Sequence, residues 1–437
     1  MHRQDTPDVV PLPYKGTRAG RVRPILAWLT ARLRFAAIRS REEGPLWTVK
    51  ALLSRAWKIP VSLLALPVTI PLHVAGFRRL PVITQRIGHL TAEIDCFLKE
   101  QRMGQLPHRH WFVLAPKRRV ANGVILGYWR PRVRVLMHPA VCAIVEAATH
   151  WGPMVHPIHD YVLGLSGSGR YYRVNADWGD RAPLLTLTDE HRAAGEAALR
   201  QLGIPEGAWY VCLHAREGGY SQEDERVHSY RNSDVLRLIP TIEYIVSRGG
   251  WCVRMGDPSM EPLPRMRGLV DYAHHTLRSP LLDVFLCATC RFFLGNTSGL
   301  FLVSTAFGVP SVLANMIPIT SMGFGPRDLS IPKLLWSVRK RGYLTFAEVL
   351  RSGLANARIS ADFREAGVEP VENTAEDVRD LAGEMLDHIE GRGAQYEEFA
   401  PLQKHFASLL RPNHFCYGTR SRIGARFAHK YQDLLTQ

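Results

Sequence analysis

The chain has 437 residues, 46% of them hydrophobic and 22% charged, which excludes a disordered protein and suits two or three folded domains. Its net charge of +15 is unevenly spread: residues 1–60 hold twelve Lys or Arg against four Asp or Glu, so +8 (12 − 4) lies there and +7 in the other 377 residues. The charge therefore concerns mainly what the N-terminal arm touches. With no aromatic–basic interleaving, a nucleic-acid partner is disfavoured.

The arm comes first. RPILAWLTARLRFAAIR (Arg23 to Arg39) sets Leu26, Leu29, Leu33 and Ala36–Ala37 on one helical face, with arginines on the other. IPVSLLALPVTIPLHVAGF (Ile59 to Phe77) then runs nineteen residues without a charge. That is nearly bilayer-spanning length, but Pro60, Pro67 and Pro71 would interrupt a ladder that lipid requires to be complete. A basic amphipathic stretch beside a short apolar one predicts that residues 20–77 lie on an anionic membrane surface. The alternative is a helical extension packed on the next domain. The first 24 residues lack the apolar run of a cleavable signal. Seven cysteines without repeating spacing, Cys287 and Cys290 forming a lone C-x-x-C, read as core residues in a reducing, cytoplasmic setting.

After Arg79 strands and helices alternate. RLPVITQRIGHL leads into TAEIDCFLKEQRMG, a helix with an Ile94, Phe97, Leu98 stripe ending at Gly104; RHWFVLAP and VRVLMH are strands, separated by an Asn122-Gly123 turn and helix-like VILGYW. Residues 150–185, rich in Gly, Pro and Trp, give no clear pattern. LTDEHRAAGEAALRQLG is a helix from Thr188 to Gly203. Strand WYVCLHAR, helix SDVLRLIPTIEYIVSRGG capped by Ser233, strands WCVRMGD and GLVDYA, helix SPLLDVFLCATC, strand RFFLGNTSG entering a helix, and a final strand GVPSVLAN follow. This alternation predicts parallel, doubly wound sheets. Two amphipathic helices, Asn373 to Gly391 and Ser421 to Leu435, are expected to cover the sheet or to cross back to the first domain. The expected fold class is α/β: an arm over 1–78, Rossmann-like domains over 79–187 and 188–392 facing a cleft, and a helical extension over 393–437.

In an open parallel sheet, ligands sit beyond the carboxyl ends of the strands. His214-Ala215-Arg216 ends one strand, Arg254 to Asp257 another, and the turn Asn296-Thr297-Ser298-Gly299 a third. A turn of small polar residues entering a helix offers N–H and hydroxyl donors to a diphosphate, and Gly299 admits phosphate oxygens to the backbone. The plain alternative is an ordinary helix cap. Arg216 or Arg231 would supply the cation that a diphosphate leaving group needs. Asp257, and Asp271-Tyr272 likewise, could meet a ribose or base edge, though each alone is more often a loop cap. Without a Walker lysine pattern or a G-x-G-x-x-G, ATP hydrolysis and dinucleotide redox chemistry are disfavoured.

HAREGGY, the later YRN, VRMGD and FLGNTSGLFLVSTAFGVPSVLAN resemble the donor-domain motifs of a bacterial family of GT-B type glycosyltransferases, distantly similar to heptosyltransferases and protein O-fucosyltransferases. His214-x-Arg216 is similar to the H-x-R of the latter; QRIGHLTAEIDCFLKE and VENTAEDVRDLAGEML match the family's first-domain and C-terminal signatures. The resemblance spans roughly residues 80–435. It implies a GT-B fold and a donor diphosphate held by His214, Arg216, Arg231 and Asn296–Gly299. Nucleoside contacts are then expected at Arg254, Asp257, Asp271 and Tyr272. Cationic and backbone donors in such enzymes often replace a divalent metal, so a nucleotide sugar is expected as co-substrate with no other cofactor. Glu223-Asp224-Glu225 reads as a solvated charge run rather than a metal motif.

An acceptor hydroxyl needs a general base if the anomeric carbon inverts. Candidates on the first domain are His89, Glu93 and Asp95; His89 and Glu93 stand four apart and share a helical face, and Asn122 also lines the expected cleft. The leading expectation is transfer of a sugar from a nucleotide sugar to a cell-surface polysaccharide or lipopolysaccharide-type glycan or glycolipid, at the inner face of the cell membrane. A nucleotide-sugar epimerase and a non-catalytic nucleotide-sugar-binding scaffold are the alternatives.

Overall fold

The computed structural model describes residues 56–150, 154, 167–219 and 222–437, together with Val49 and Leu53. The amphipathic stretch expected at Arg23 to Arg39 lies outside these residues. The apolar segment after it forms two short helices, Lys58–Leu64 and Leu66–Val74, with Pro67 in the first turn of the second and Pro71 inside it. No described helix is long and apolar enough to cross a membrane.

Two α/β units follow, both built on parallel strands. The first is small: β1 (Phe77–Arg79), β2 (His110–Leu114) and β3 (Arg134–Leu136) lie in that order. It is narrower than the full doubly wound sheet expected, and it begins at Phe77, just inside the expected arm. The helices Ile87–Arg102, Gly123–Trp129, Pro139–Ala148 and Gly167–Trp178 surround it. Asn122 caps the second of these, its Oδ1 accepting from the N–H groups of Val124 and Ile125.

The second unit carries β4 (Tyr210–His214), β5 (Trp251–Arg254), β6 (Leu269–Val270), β7 (Phe293–Gly295), β8 (Ser311–Met316) and β9 (Leu329–Pro332). A side sheet of β10 (Leu334–Ser337), β11 (Gly342–Tyr343) and β12 (Val368–Val371) flanks it, and β13 (Arg422–Ile423) adds a last edge strand. The main sheet is all parallel in the order β13-β9-β8-β7-β4-β5-β6. The segment expected to end the sheet, GVPSVLAN, is thus followed by two more strands. Ser421 to Leu435 is not one helix: it opens as β13 and continues as helices Ala425–Lys430 and Gln432–Thr436. The alternation Arg422-out, Ile423-in fits an edge strand over only two residues, too short to register as a period.

Local signals explain most boundaries. Thr188 caps Asp189–Gln201, Ser279 caps Pro280–Thr289, and Thr374 with Asp377 makes a capping box for Ala375–Ile389. Gly203 adopts φ +81°, a left-handed turn that stops the first of these. The cap expected at Ser233 belongs to its neighbour Asp234, whose Oδ1 accepts from Leu236 N–H at 2.8 Å.

The helix Ile87–Arg102 is the hinge of the molecule's architecture. Every residue from Leu90 to Glu100 is buried, because the first unit covers one side and the helix Phe301–Ala306 of the second unit covers the other. A stripe of Ile94, Phe97 and Leu98 supplies the apolar contact, and its charged residues are paired. Lys99 Nζ lies 2.7 Å from Asp95 Oδ2 and 2.8 Å from Asn175 Oδ1; Arg170 Nε donates to both oxygens of Glu100 at 2.9 Å. The units are joined further by Asn122 Nδ2 donating to Pro280 O (2.9 Å) and Tyr172 OH donating to Met322 O (2.7 Å).

Candidate active site

The chain runs from β4 outward through β5 and β6, then returns to β7 on the other side of β4 and continues through β8 and β9. The boundary between β4 and β7 is therefore the topological switch point, where an open parallel sheet leaves a crevice at its carboxyl edge. His214 and Gly295 are register partners across that boundary. The two stretches singled out in the sequence, His214–Arg216 and Asn296–Gly299, leave the sheet side by side.

Asn296 ties them together. Its buried side chain accepts the Arg216 N–H at 3.1 Å and donates to Arg231 O (3.2 Å) and Ser233 Oγ (2.5 Å). Arg231 reaches back over the turn, its Nε and Nη2 donating to Thr297 O at 2.8 and 2.5 Å. Thr297 Oγ1 in turn donates to Ile317 O and accepts Ile317 N–H, pinning the turn to the end of β8. The Arg216 guanidinium does something else: it bonds Asn232 Oδ1 and His228 O and stands 3.8 Å from Glu225 Oε2. Of the two arginines proposed for the diphosphate, Arg231 lies on the turn, whereas Arg216 organises the loop that carries Arg231. Glu225 belongs to that network rather than to a solvated run, since Asn232 Nδ2 also donates to its Oε1 at 2.7 Å.

The turn itself differs from a helix cap. The helix after it begins at Phe301 and has six residues, so its dipole adds little at Thr297. The Thr297 and Gly299 N–H groups nevertheless have no partner among the described residues, and Ser298 Oγ is buried without one. These donors, with Arg231 beside them, form an anion-receptive edge. Gly299 also keeps a close packing contact: a Cβ there would sit 3.1 Å from Gly88 N and 3.2 Å from Gly88 Cα. The start of the Ile87–Arg102 helix presses directly on the turn. We expect Gly88→Ala to cost about 1–3 kcal/mol and to lower activity by parting the units, because its Cβ would fall 2.7 Å from Gly299 Cα, which is backbone. Unchanged unfolding in denaturant would contradict that.

One turn along this helix, His89 Nδ1 meets Glu93 Oε1 at 2.6 Å, and Glu93 Oε2 accepts Ile83 N–H at 3.1 Å. Glu93 is buried and His89 partly open. The carboxylate fixes the imidazole with its proton on Nδ1, leaving Nε2 as the accepting nitrogen. Asp95 points elsewhere, into the salt bridge with Lys99 and a 3.2 Å hydrogen bond from Tyr171 OH, fully buried in the first unit. It cannot serve as the acceptor base. Asn122 is spent on capping and on the interunit bond.

The expected nucleoside contacts are largely consumed by the protein itself. Arg254, fully buried, donates to Glu217 Oε1 (2.9 Å), Asp271 Oδ1 (3.2 Å) and Glu261 O (2.9 Å). Asp271 Oδ2 accepts Leu263 N–H at 3.0 Å. Tyr272 is buried and bonds Asp283 Oδ1 at 2.9 Å. Asp257 Oδ1 accepts Ser259 N–H at 2.9 Å, a local turn. Strand-end position located these residues; ion pairing and burial decided their use.

Burial drives His214 down to about 4, aided by the charges of Arg254 and Arg216 and opposed by its Nδ1–H bond to Met255 O at 3.2 Å. At neutral pH it is an uncharged donor–acceptor at the switch point. Two further cations were not legible in the sequence. Lys333, just after β9, donates to Asn232 O at 2.5 Å and is pushed down by burial to about 8. Arg358 stacks 4.2 Å above the Phe415 ring, and its carbonyl accepts from His228 Nδ1. A lysine inside the apolar run LSIPKLLW was the available signal for the first; nothing local marked the second. Among the described residues no three His, Cys, Asp or Glu side chains gather as a metal site.

Fold and site together define a two-unit α/β protein with an anion-receptive turn at a switch point and a His–Glu pair on the facing helix. The chain is similar to solved structures of glycosyltransferases. These include the glycosyl transferase family 9 protein of Veillonella parvula (15% identity, 55% of this chain and 80% of that one, TM-score 0.36). Another is E. coli ADP-heptose LPS heptosyltransferase II (13%, 54% and 84%, TM-score 0.32). A third is SnogD of Streptomyces nogalater (14%, 71% and 96%, TM-score 0.28). No protein-family model matches the chain, and no curated protein matches it.

Proposed function

We propose that the protein is a glycosyltransferase that moves a sugar from a nucleotide-sugar donor to a glycan or glycolipid of a cell-surface polysaccharide or lipopolysaccharide type, at the inner face of the cell membrane. One observation supports the reading: the pairing of His214 with Gly295 at the switch point, beside which Arg231 bonds the turn whose Thr297 and Gly299 N–H groups have no partner among the described residues. The donor's diphosphate would lie there. Departure of the nucleoside diphosphate breaks the bond from the anomeric carbon to the phosphate oxygen, and Arg231 with the backbone donors stabilises the charge left on that oxygen. The acceptor hydroxyl forms the new bond to the anomeric carbon and yields its proton to His89 Nε2 in an inverting reaction. No metal takes part in this scheme.

The test is a thermal-shift screen against UDP-, GDP-, ADP- and CMP-sugars, run with and without excess chelator. One donor class should raise the melting temperature equally in both, and Arg231→Ala should weaken its binding roughly 10- to 100-fold, the worth of a charged hydrogen bond. Binding of no donor, or binding indifferent to Arg231, overturns the reading. Binding that disappears with chelator and returns with magnesium or manganese overturns its metal-free form.

A further inference from the structure

The two helices Lys58–Leu64 and Leu66–Val74 are turned inside out. In a helix packed on a water-soluble protein the apolar stripe faces inward. Here the buried residue of the first helix is Ser62 and that of the second is Thr69, while Leu64 is 81% exposed, Val68 64% and Val74 79%. Hydrogen bonds hold them that way. Ser62 Oγ donates to Ala147 O at 2.6 Å, and Lys58 Nζ meets Glu146 Oε1 at 2.5 Å, fastening the first of the two helices to the Pro139–Ala148 helix. That helix extends the patch with Ile144, 67% exposed, and Trp57 lies at its edge, half exposed. Contiguous exposed apolar surface of this kind marks a site of association.

The surrounding charge selects the occupant. Between residues 44 and 150 the chain has fifteen Lys or Arg and four carboxylates, Glu93, Asp95, Glu100 and Glu146. The first three are buried within the first unit, and Glu146 is ion-paired to Lys58. Basic side chains therefore outnumber exposed acids along this stretch. Arg109 stands just beyond the end of the second helix, its Cδ 3.6 Å from where a Cβ of Gly76 would lie, next to Arg78. Exposed aliphatic side chains rimmed by arginine match the interface of an anionic bilayer, where acyl chains receive the former and headgroup phosphates the latter. A second copy of this chain would bring the same positive rim against itself.

We infer that residues 57–74, with Ile144, form a membrane-docking surface that seats the first unit on an anionic leaflet, inserting Leu64, Val68 and Val74 without spanning it. The surface rests on the membrane location given in the proposed function and deepens it; neither donor nor acceptor enters its test, so its failure would remove that location and leave the transfer chemistry standing. The full chain is floated with vesicles of phosphatidylcholine alone and of phosphatidylcholine with phosphatidylglycerol. The wild type should float with the anionic vesicles and only weakly with the neutral ones. Leu64→Glu with Val68→Glu and Val74→Glu should cut anionic partitioning by at least about tenfold, and Arg109→Glu should reduce it less and in a salt-dependent way. These side chains are already in solvent, so folding is not at stake; Leu64→Ser with Val74→Ser gives a milder second variant. Absence of the wild type from anionic vesicles, or equal floating of wild type and variants, overturns the proposal. So does a wild-type dimer that the glutamates dissociate without any vesicle binding, or a patch protected from labelling by the chain's own first 55 residues.

Discussion

Replacing His89 by Ala is expected to lower the transfer rate by about 10²–10⁴-fold while leaving donor affinity unchanged, the loss typical of a positioned general base. The geometry gives the reason. His89 Nδ1 is held at 2.6 Å by Glu93, which is itself fixed by the Ile83 N–H, so the ring cannot turn its accepting nitrogen away. The helix carrying both residues touches the Asn296–Gly299 turn through Gly88, the residue before His89, and Arg231 bonds the same turn at Thr297 O. Glu93→Gln should lower kcat without weakening the donor, because Glu93 acts through the imidazole. Added imidazole should restore part of the activity of His89→Gly but none of that of Arg231→Ala. Full activity in His89→Ala, measured by sugar transfer to any acceptor, would remove the dyad from the mechanism. An equal loss of donor binding would make it a structural pair.

The largest expected loss of stability comes from Arg254→Ala, about 3–5 kcal/mol, because removing one partner of a buried ion cluster strands the others. Arg254 is fully buried at the end of β5, and its guanidinium is shared by Glu217, Asp271 and the Glu261 carbonyl. Glu217 Oε2 further accepts Glu261 N–H at 2.8 Å, and Asp271 holds Leu263 N–H, so one cation sets three loop segments. The loop that starts at Glu217 returns to the sheet through Arg231 and Asn232. Its loosening should therefore weaken donor binding as well as unfolding midpoints. Denaturant titration checks the first effect and the thermal shift with nucleotide sugar the second. An Arg254→Ala protein that unfolds at the wild-type midpoint would show the cluster to be no stronger than a surface ion pair.

Particular residues show how far the sequence carried. Strand ends were readable because β4, β5 and β7 are short apolar runs that stop at polar residues, and a parallel sheet buries such runs on both faces. His214, Asn296 and Thr297 were located in this way, and the His89–Glu93 pair followed from helical spacing alone. The same position-based reasoning gave Arg254, Asp271 and Tyr272 to the ligand, although they are bound to one another or to Asp283. It offered Arg216 and Arg231 alike, and of the two it is Arg231 that lies on the turn. A strand end says where a side chain starts, not which partner it reaches.

Alternation, caps and charge patterning thus determined from sequence an α/β protein of parallel sheets with a basic, apolar approach segment and a small polar turn. These are properties of neighbours within a few residues, and local sterics and hydrogen bonding settle them. Only the tertiary structure decided that Gly88 meets Gly299, that Lys333 and Asn232 share a hydrogen bond, and that the two helices over 58–74 face their apolar side outward. Those facts depend on segments far apart in the chain, whose meeting is fixed by packing density and by the pairing of buried charge, terms that no short window of sequence contains.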